Sequence, residues 1–288
     1  MAETTNHQSL QTKSTATTTW RIVITFLVTL LLTVSTLSHD TWLAPHRSTV
    51  PVGTVITADL TSGMVFPLLT YAIKAERIER ATVRLGGRLT EIGQRRAAPK
   101  SLRLMAQLNE SGIATLWVEL KPKSLDLTPP KVIEYLDEIG AAEEIRAAWT
   151  QSKSQRWREV YTKHAKTFVR VGQVEQDQSW AEPVGMALEI VPEKDPTRLH
   201  AGDDFPVRVL KNGTPLAGFP LGLIRERATQ GLIQKTDAEG RTTFTLKRAG
   251  KWLLRGTELR RSSDPNHDWE SDFTTLTIET LALPEAAR

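Results

Sequence analysis

Residues 236–259, TDAEGRTTFTLKRAGKWLLRGTEL, decide the fold. Asp237-Ala238-Glu239-Gly240 is a run of turn formers. Arg241 to Leu246 and Lys251 to Leu259 follow it, rich in Thr, Phe and Leu, which suit a pleated, half-buried surface. Turn then strand then strand is the grammar of a small β domain. Working upstream, Leu232 to Thr236, Gly218 to Arg225, Phe205 to Leu210 and Met186 to Val191 read as strands, with a turn at Lys211-Asn212-Gly213. Downstream, Asp272 to Glu279 reads as the last one. Short strands at regular spacing imply a β-sandwich of immunoglobulin-like type. The chain has no cysteine, so the inter-sheet disulfide of antibody domains is excluded.

The first half is also β-rich. Val50 to Leu60, Ala81 to Leu85, Leu102 to Leu108 and Ile113 to Leu120 read as strands. Asn109-Glu110-Ser111-Gly112 between the last two predicts a hairpin. The period then changes. Thr128 can cap a helix with Pro129 or Pro130 in its first turn, Val132, Leu136 and Ile139 fall on one stripe, and Gly140 is a stop. A second helical stretch covers about 141–149. A third is expected from Trp157, Val160, Tyr161, His164, Ala165 and Phe168 at helical spacing. The polar segment Gln173 to Pro183 reads as a boundary. The expected architecture is therefore all-β: two β-sandwich-like domains, 39–182 and 183–288, the second immunoglobulin-like, with a helical insertion at about 129–168 in the first.

Residues 1–38 read as an export signal. Ile22 to Val34 is an apolar run of 13 residues. A membrane span needs about 20, a signal-peptide core about 7–15. Thr36 and Ser38 place small residues where a signal peptidase cuts before His39. An uncleaved N-terminal anchor is the alternative. Both place the bulk of the chain in the periplasm or outside the cell, and the membrane is met only through this segment.

The formal net charge is +4, with 37 basic residues interspersed among 33 acidic ones. No basic run is dense enough for a nucleic-acid partner. Without cysteine, thiolate chemistry is excluded. There is no Gly-x-Ser-x-Gly elbow, phosphate-binding glycine loop or His-Glu-x-x-His, so a non-enzymatic protein is expected.

The histidines carry the remaining chemistry. His164 falls on an apolar stripe and reads as a packed histidine, and His200 precedes a turn. Cleavage before His39 would give it a free α-amine beside its imidazole, a pair able to chelate one transition-metal ion. Asp40 could add a carboxylate, and His46, or His267 with Asp268, could complete the set. The bland reading is a terminal histidine with no role. Eight tryptophans against three tyrosines fit buried sandwich side chains, with Trp42, Trp252 and Trp269 beside these polar residues.

The order of these pieces resembles a large family of exported bacterial proteins that is a domain of unknown function. Some of its members look like periplasmic components of nickel/cobalt uptake systems. His39-Asp40-Thr41-Trp42-Leu43-Ala44-Pro45 is similar to the family's opening His-Asp-x-Trp-Leu-x-Pro. Arg156 to Gly172, Leu188 to Pro196, Pro215 to Gly218, Thr236 to Gly240, Gly250 to Arg255 and His267 to Ser271 continue the likeness. Two positions depart from it. Leu37 and Glu258 stand where members often carry histidine.

The resemblance implies a divalent transition metal, nickel or cobalt, with His39, Asp40, His46, Glu258, His267 and Asp268 as candidate ligands. It also implies a metal-permease membrane complex as partner. The expectation is a non-enzymatic extracytoplasmic metal-binding or metal-uptake accessory protein. The alternative is a cell-surface β-sandwich that binds protein or glycan without metal.

Overall fold

The computed structural model describes Met1, residues 39–228 and residues 230–283. The apolar run 22–34 and the expected cleavage site lie outside these residues. The first half contributes β1 (Asp40–Pro45), β2 (Thr49–Val50), β3 (Thr54–Gly63), β4 (Tyr71–Ala72) and β5 (Ile78–Leu85). It continues with β6 (Arg88–Glu91), β7 (Gln94–Ala98), β8 (Ser101–Leu108), β9 (Gly112–Leu120) and β10 (Lys123–Leu127). Helices α1 (Pro129–Glu138) and α2 (Glu143–Thr150) follow, then β11 (Trp157–Val171). The second half holds β12 (Leu188–Pro192), β13 (Asp204–Lys211), β14 (Thr214–Pro215) and β15 (Pro220–Arg225). It ends with β16 (Leu232–Lys235), β17 (Arg241–Thr245), β18 (Gly250–Arg261) and β19 (Trp269–Thr280).

The strands form three sheets. One has the order β1-β3-β8-β7, with β4 on β3. Another has the order β12-β13-β14, with β17 on β13. Between them runs a ten-stranded sheet, β16-β15-β18-β19-β11-β9-β5-β6, with β2 and β10 also on β11. This large sheet takes strands from both halves, and its two faces carry two cores. Leu60, Leu104, Val83, Leu116 and Val169 fill one. Phe205, Val207, Phe244, Leu254 and Leu276 fill the other. Side chains alternate along a strand, so neighbours divide between the cores. Phe168 belongs to the second and Val169 to the first. The two halves thus have their own cores but share one sheet.

Two expectations are corrected. The third helix, over 157–168, is β11, a strand of 15 residues. It lies in the interior of the large sheet with both faces covered from His164 to Val169. Burial on both faces erases the two-residue alternation, and what remains mimics a helical stripe. The helical insertion therefore ends at Thr150. The expected hairpin at 109–112 is a crossing between sheets instead: β8 pairs with β3 and β7, whereas β9 pairs with β5 and β11. The turn at Asn212-Gly213 is present, both residues at positive φ (49° and 78°). At Gly240 (φ 73°) a Cβ would lie 2.6 Å from the Val209 carbonyl oxygen, so only glycine closes that turn.

Candidate functional site: an ionisable cleft at the head of the first strand

Helix α1 is tied to the large sheet by a buried carboxylate. Glu159, fully buried on β11, accepts from Tyr135 Oη (2.9 Å), Trp157 Nε1 (2.7 Å) and Ser271 Oγ. Desolvation pushes its carboxyl up, and these donors oppose that. Aromatic rings continue the anchor: Trp149 of α2 meets Trp157 edge-on at 5.7 Å, and Trp157 stacks on Trp269 at 4.7 Å. Glu138 follows Tyr135 by one helical turn, so fixing Tyr135 also fixes where Glu138 emerges.

Strand β1 brings the second set of groups. Trp42 is buried against Phe66, Leu253 and Ile224. Thr275 Oγ1 donates to the Thr41 carbonyl (2.6 Å). This seating places Asp40 on Arg255 of β18, whose Nη1 donates to Oδ2 at 2.6 Å. Lys163 of β11 donates to the carbonyl of His39. The Lys163 ammonium also sits 5.0 Å from the Phe273 ring centre and 5.5 Å from that of Tyr161. The His39 ring meets Tyr71 edge-on at 4.8 Å.

The cleft between them, about 80 Å³, is lined by Asp40, Glu138, Ile139, Pro220, Arg255 and Thr257 among others. Several groups around it are drawn toward neutrality. Desolvation, then the charge of Asp40, pushes the Glu138 carboxyl up to about 7. Glu138 is exposed as a whole residue, but it lines the cleft wall. Desolvation brings Lys163 down to about 8 against the pull of Asp40. Desolvation and then Lys163 lower His39. Arg255 is held above its ordinary value, first by Asp40. Clusters of this kind mark functional sites more often than bare surface does.

The expected metal ligands are not brought together. Only His39 and Asp40 share this place. His46 lies at the far end of β1, on the order of 20 Å away along an extended chain. There its Nε2 meets Asp59 Oδ2 at 2.7 Å, and Asp59 Oδ1 accepts from Ser101 at 2.5 Å. Glu258 is three residues from Arg255 and so faces the opposite side of the sheet. It accepts from Arg260 (2.6 Å) and lies 3.3 Å from Lys211. Both cations, with His164, hold the neighbouring Asp272 carboxyl well below the usual range despite its burial. Asp268 takes both Nε and Nη2 of Arg158 (3.1 and 2.8 Å). His267 contacts Ser124 (3.1 Å) and Asp264 (3.3 Å).

Among the described residues, no three His, Asp or Glu side chains converge on one point. Each candidate carboxylate already faces an arginine. This donor set does not fit a resident transition metal, since a cation entering there would meet fixed positive charge. Sequence reasoning missed Glu138, Lys163 and Arg255. Arg255 and Lys163 lie inside the segments that carry the family resemblance, which was the one available signal for them.

Fold and site together describe a β-sandwich protein with an ionisable cleft against its shared sheet. The chain belongs to the DUF4198 family, a domain of unknown function, whose family model matches residues 36–257. No curated protein matches it. Similar solved structures include the D1–D4 ectodomain fragment of ICAM-5, at 10% identity and TM-score 0.23, over 86% of this chain and 53% of that one. A bacterial ice-binding adhesin fragment is similar at 11% identity and TM-score 0.24, over 86% and 66%. Domains A168–A170 of titin are similar at 9% and 0.22, over 85% and 68%. The chain spans about half the length of the ICAM-5 fragment. Likenesses of this size carry no argument about function.

Proposed function

We propose that this is a non-enzymatic binding protein acting outside the cytoplasm, and that the cleft at the head of β1 takes a small anionic ligand. The observation that carries this reading is the state of Arg255. Asp40 uses Nη1, while Nε and Nη2 have no hydrogen-bond partner among the described residues and the side chain lines the cleft. Lys163 stands nearby with a carbonyl and two rings as its neighbours. A guanidinium with spare donors beside a desolvated ammonium suits a carboxylate or phosphate. The export signal expected over residues 1–38 from its apolar run is what supports the location. No helix among the described residues is long and apolar enough to cross a membrane.

A second reading keeps the metal, with nickel or cobalt handed to a permease complex. It is favoured by one observation: the His39 imidazole is biased to its neutral, ligating form, and its ring nitrogens make no hydrogen bond among the described residues. Isothermal titration of the exported protein, its N-terminus sequenced, separates the two. Succinate and inorganic phosphate are run beside nickel, cobalt, copper and zinc. Succinate or phosphate binding that Arg255→Gln removes is the expected result. Stoichiometric nickel or cobalt that His39→Ala removes, without anion binding, would overturn it in favour of the metal.

A further inference from the structure

The cleft continues into a second space. The pairing of β15 with β18 ends at Gly222–Arg255, whereas β18 stays paired with β19 as far as Arg261. The β15 side of β18 is therefore left open beyond Arg255. Residues of the chain before β15, Leu216 to Phe219, and of the α1–α2 connection line this gap. A half-open pocket of about 180 Å³ results, lined mainly by apolar groups that include Ala141, Ile145, Leu216, Phe219 and Leu259, with Lys235 and Glu258 also on its wall. Ile139, Pro220 and Thr257 line both this cavity and the ionisable cleft, so the two are contiguous. The wall is specific in shape. Phe219 packs so closely on Gly256 that a Cβ there would lie 2.5 Å from its ring.

Size and polarity define what such a site accepts. An enclosed apolar cavity of about 150 Å³ accommodates benzene, so this half-open compartment has room for a phenyl ring or a chain of about six carbons, one side of which stays in water. The cleft beside it holds the spare Nε and Nη2 donors of Arg255, a fork that matches a carboxylate. Resting on the anion-binding reading above, we propose that the two compartments form one site for a small organic acid with an apolar body. Its carboxylate meets Arg255 and its body lies against Ile139, Phe219 and Leu259. Glu138 lines the same cleft with its carboxyl raised toward neutrality, and the O–H of its protonated form can donate a hydrogen bond to that carboxylate.

The test is isothermal titration of the full mature chain with 3-phenylpropionate, hexanoate, succinate and 1-hexanol. The two amphipathic acids are expected to bind at least tenfold more tightly than succinate or hexanol. Ala217→Trp, which fills the apolar compartment, should bring phenylpropionate down to the level of succinate. Arg255→Gln should weaken both acids at least tenfold. Should that variant fail to fold by circular dichroism, Arg255→Lys, which keeps the charge and loses the fork, gives the same reading. Succinate binding without any preference for phenylpropionate would overturn this inference and leave the anion-binding reading standing. Absence of binding by every acid to folded protein would overturn both.

Discussion

Lys166 and Glu189 form an ion pair at 2.7 Å with side chains only 1% exposed, one on β11 of the shared sheet and the other on β12 of the smaller sheet. The carboxylate also accepts from the backbone N–H groups of Val184, Gly185 and Met186. Desolvation lowers the lysine, and Glu189 opposes it. A buried pair is weak evidence for net stability, but breaking it on one side strands a charge. Lys166→Met should therefore cost about 3–5 kcal/mol. The double variant with Glu189→Gln should recover part of that loss. Urea denaturation of the four proteins in the cycle checks both.

Removing one donor from Glu159 tests how α1 is held. Tyr135→Phe deletes the 2.9 Å bond and leaves a buried carboxylate with two donors. The expected loss is about 1.5–3 kcal/mol. Near-ultraviolet dichroism should change with it, because the Trp149, Trp157 and Trp269 cluster lies at the same joint.

The pH dependence of stability should carry a signature of Lys163. Its folded value, about 8, lies below the ordinary 10.5. Between these values the unfolded chain binds more protons than the folded one, so stability rises with pH across that window. The slope approaches at most about 1.4 kcal/mol per pH unit, the value for one proton. Denaturation at pH 7.5, 9 and 10 should show the rise in the native chain and a flatter profile in Lys163→Met. Identical profiles would remove Lys163 as the source.

Gly240→Ala should destabilise by about 2 kcal/mol or more. The substitution forces a side chain into the left-handed region and against the Val209 carbonyl. Gly213→Ala shares the first cost but meets no atom within 4 Å, so its loss should be smaller. Thermal melts of the two variants give the comparison.

Chelation offers a simple check on the metal. With no converging ligand set among the described residues, EDTA should leave the melting temperature of the purified protein unchanged. A drop of several degrees that nickel or cobalt reverses would contradict this.

The turn at 237–240 was legible because its residues act locally: Asp237 Oδ1 accepts from the backbone of Glu239 and Arg241. Most strands were legible for the same reason. Partnership was not. Asn109–Gly112 has hairpin chemistry, yet the chain uses it to change sheets. Along β11, Glu159, His164 and Lys166 are buried polar groups whose partners, Trp157 beside Glu159 apart, lie 23 to 112 residues away. Without those partners in view, a helix with a polar face was the natural reading. The site shows this most clearly. His39 and Asp40 stood out by their position, while Arg255, 215 residues from Asp40, looked like any strand arginine.

The position of β19 has a consequence for biosynthesis. This strand is formed from residues 269–280, yet it lies between β18 and β11, and its nine-residue parallel register with β11 joins the two halves. Until residue 277 has been delivered, β11 lacks its β19 neighbour along Glu159–Thr167, and β10 covers only the stretch up to Tyr161. The shared sheet therefore cannot close until this strand has been made. Before that point the β11 edge is an unpaired strand edge, so the last strand of the large sheet to be made is also what protects it from edge-to-edge association.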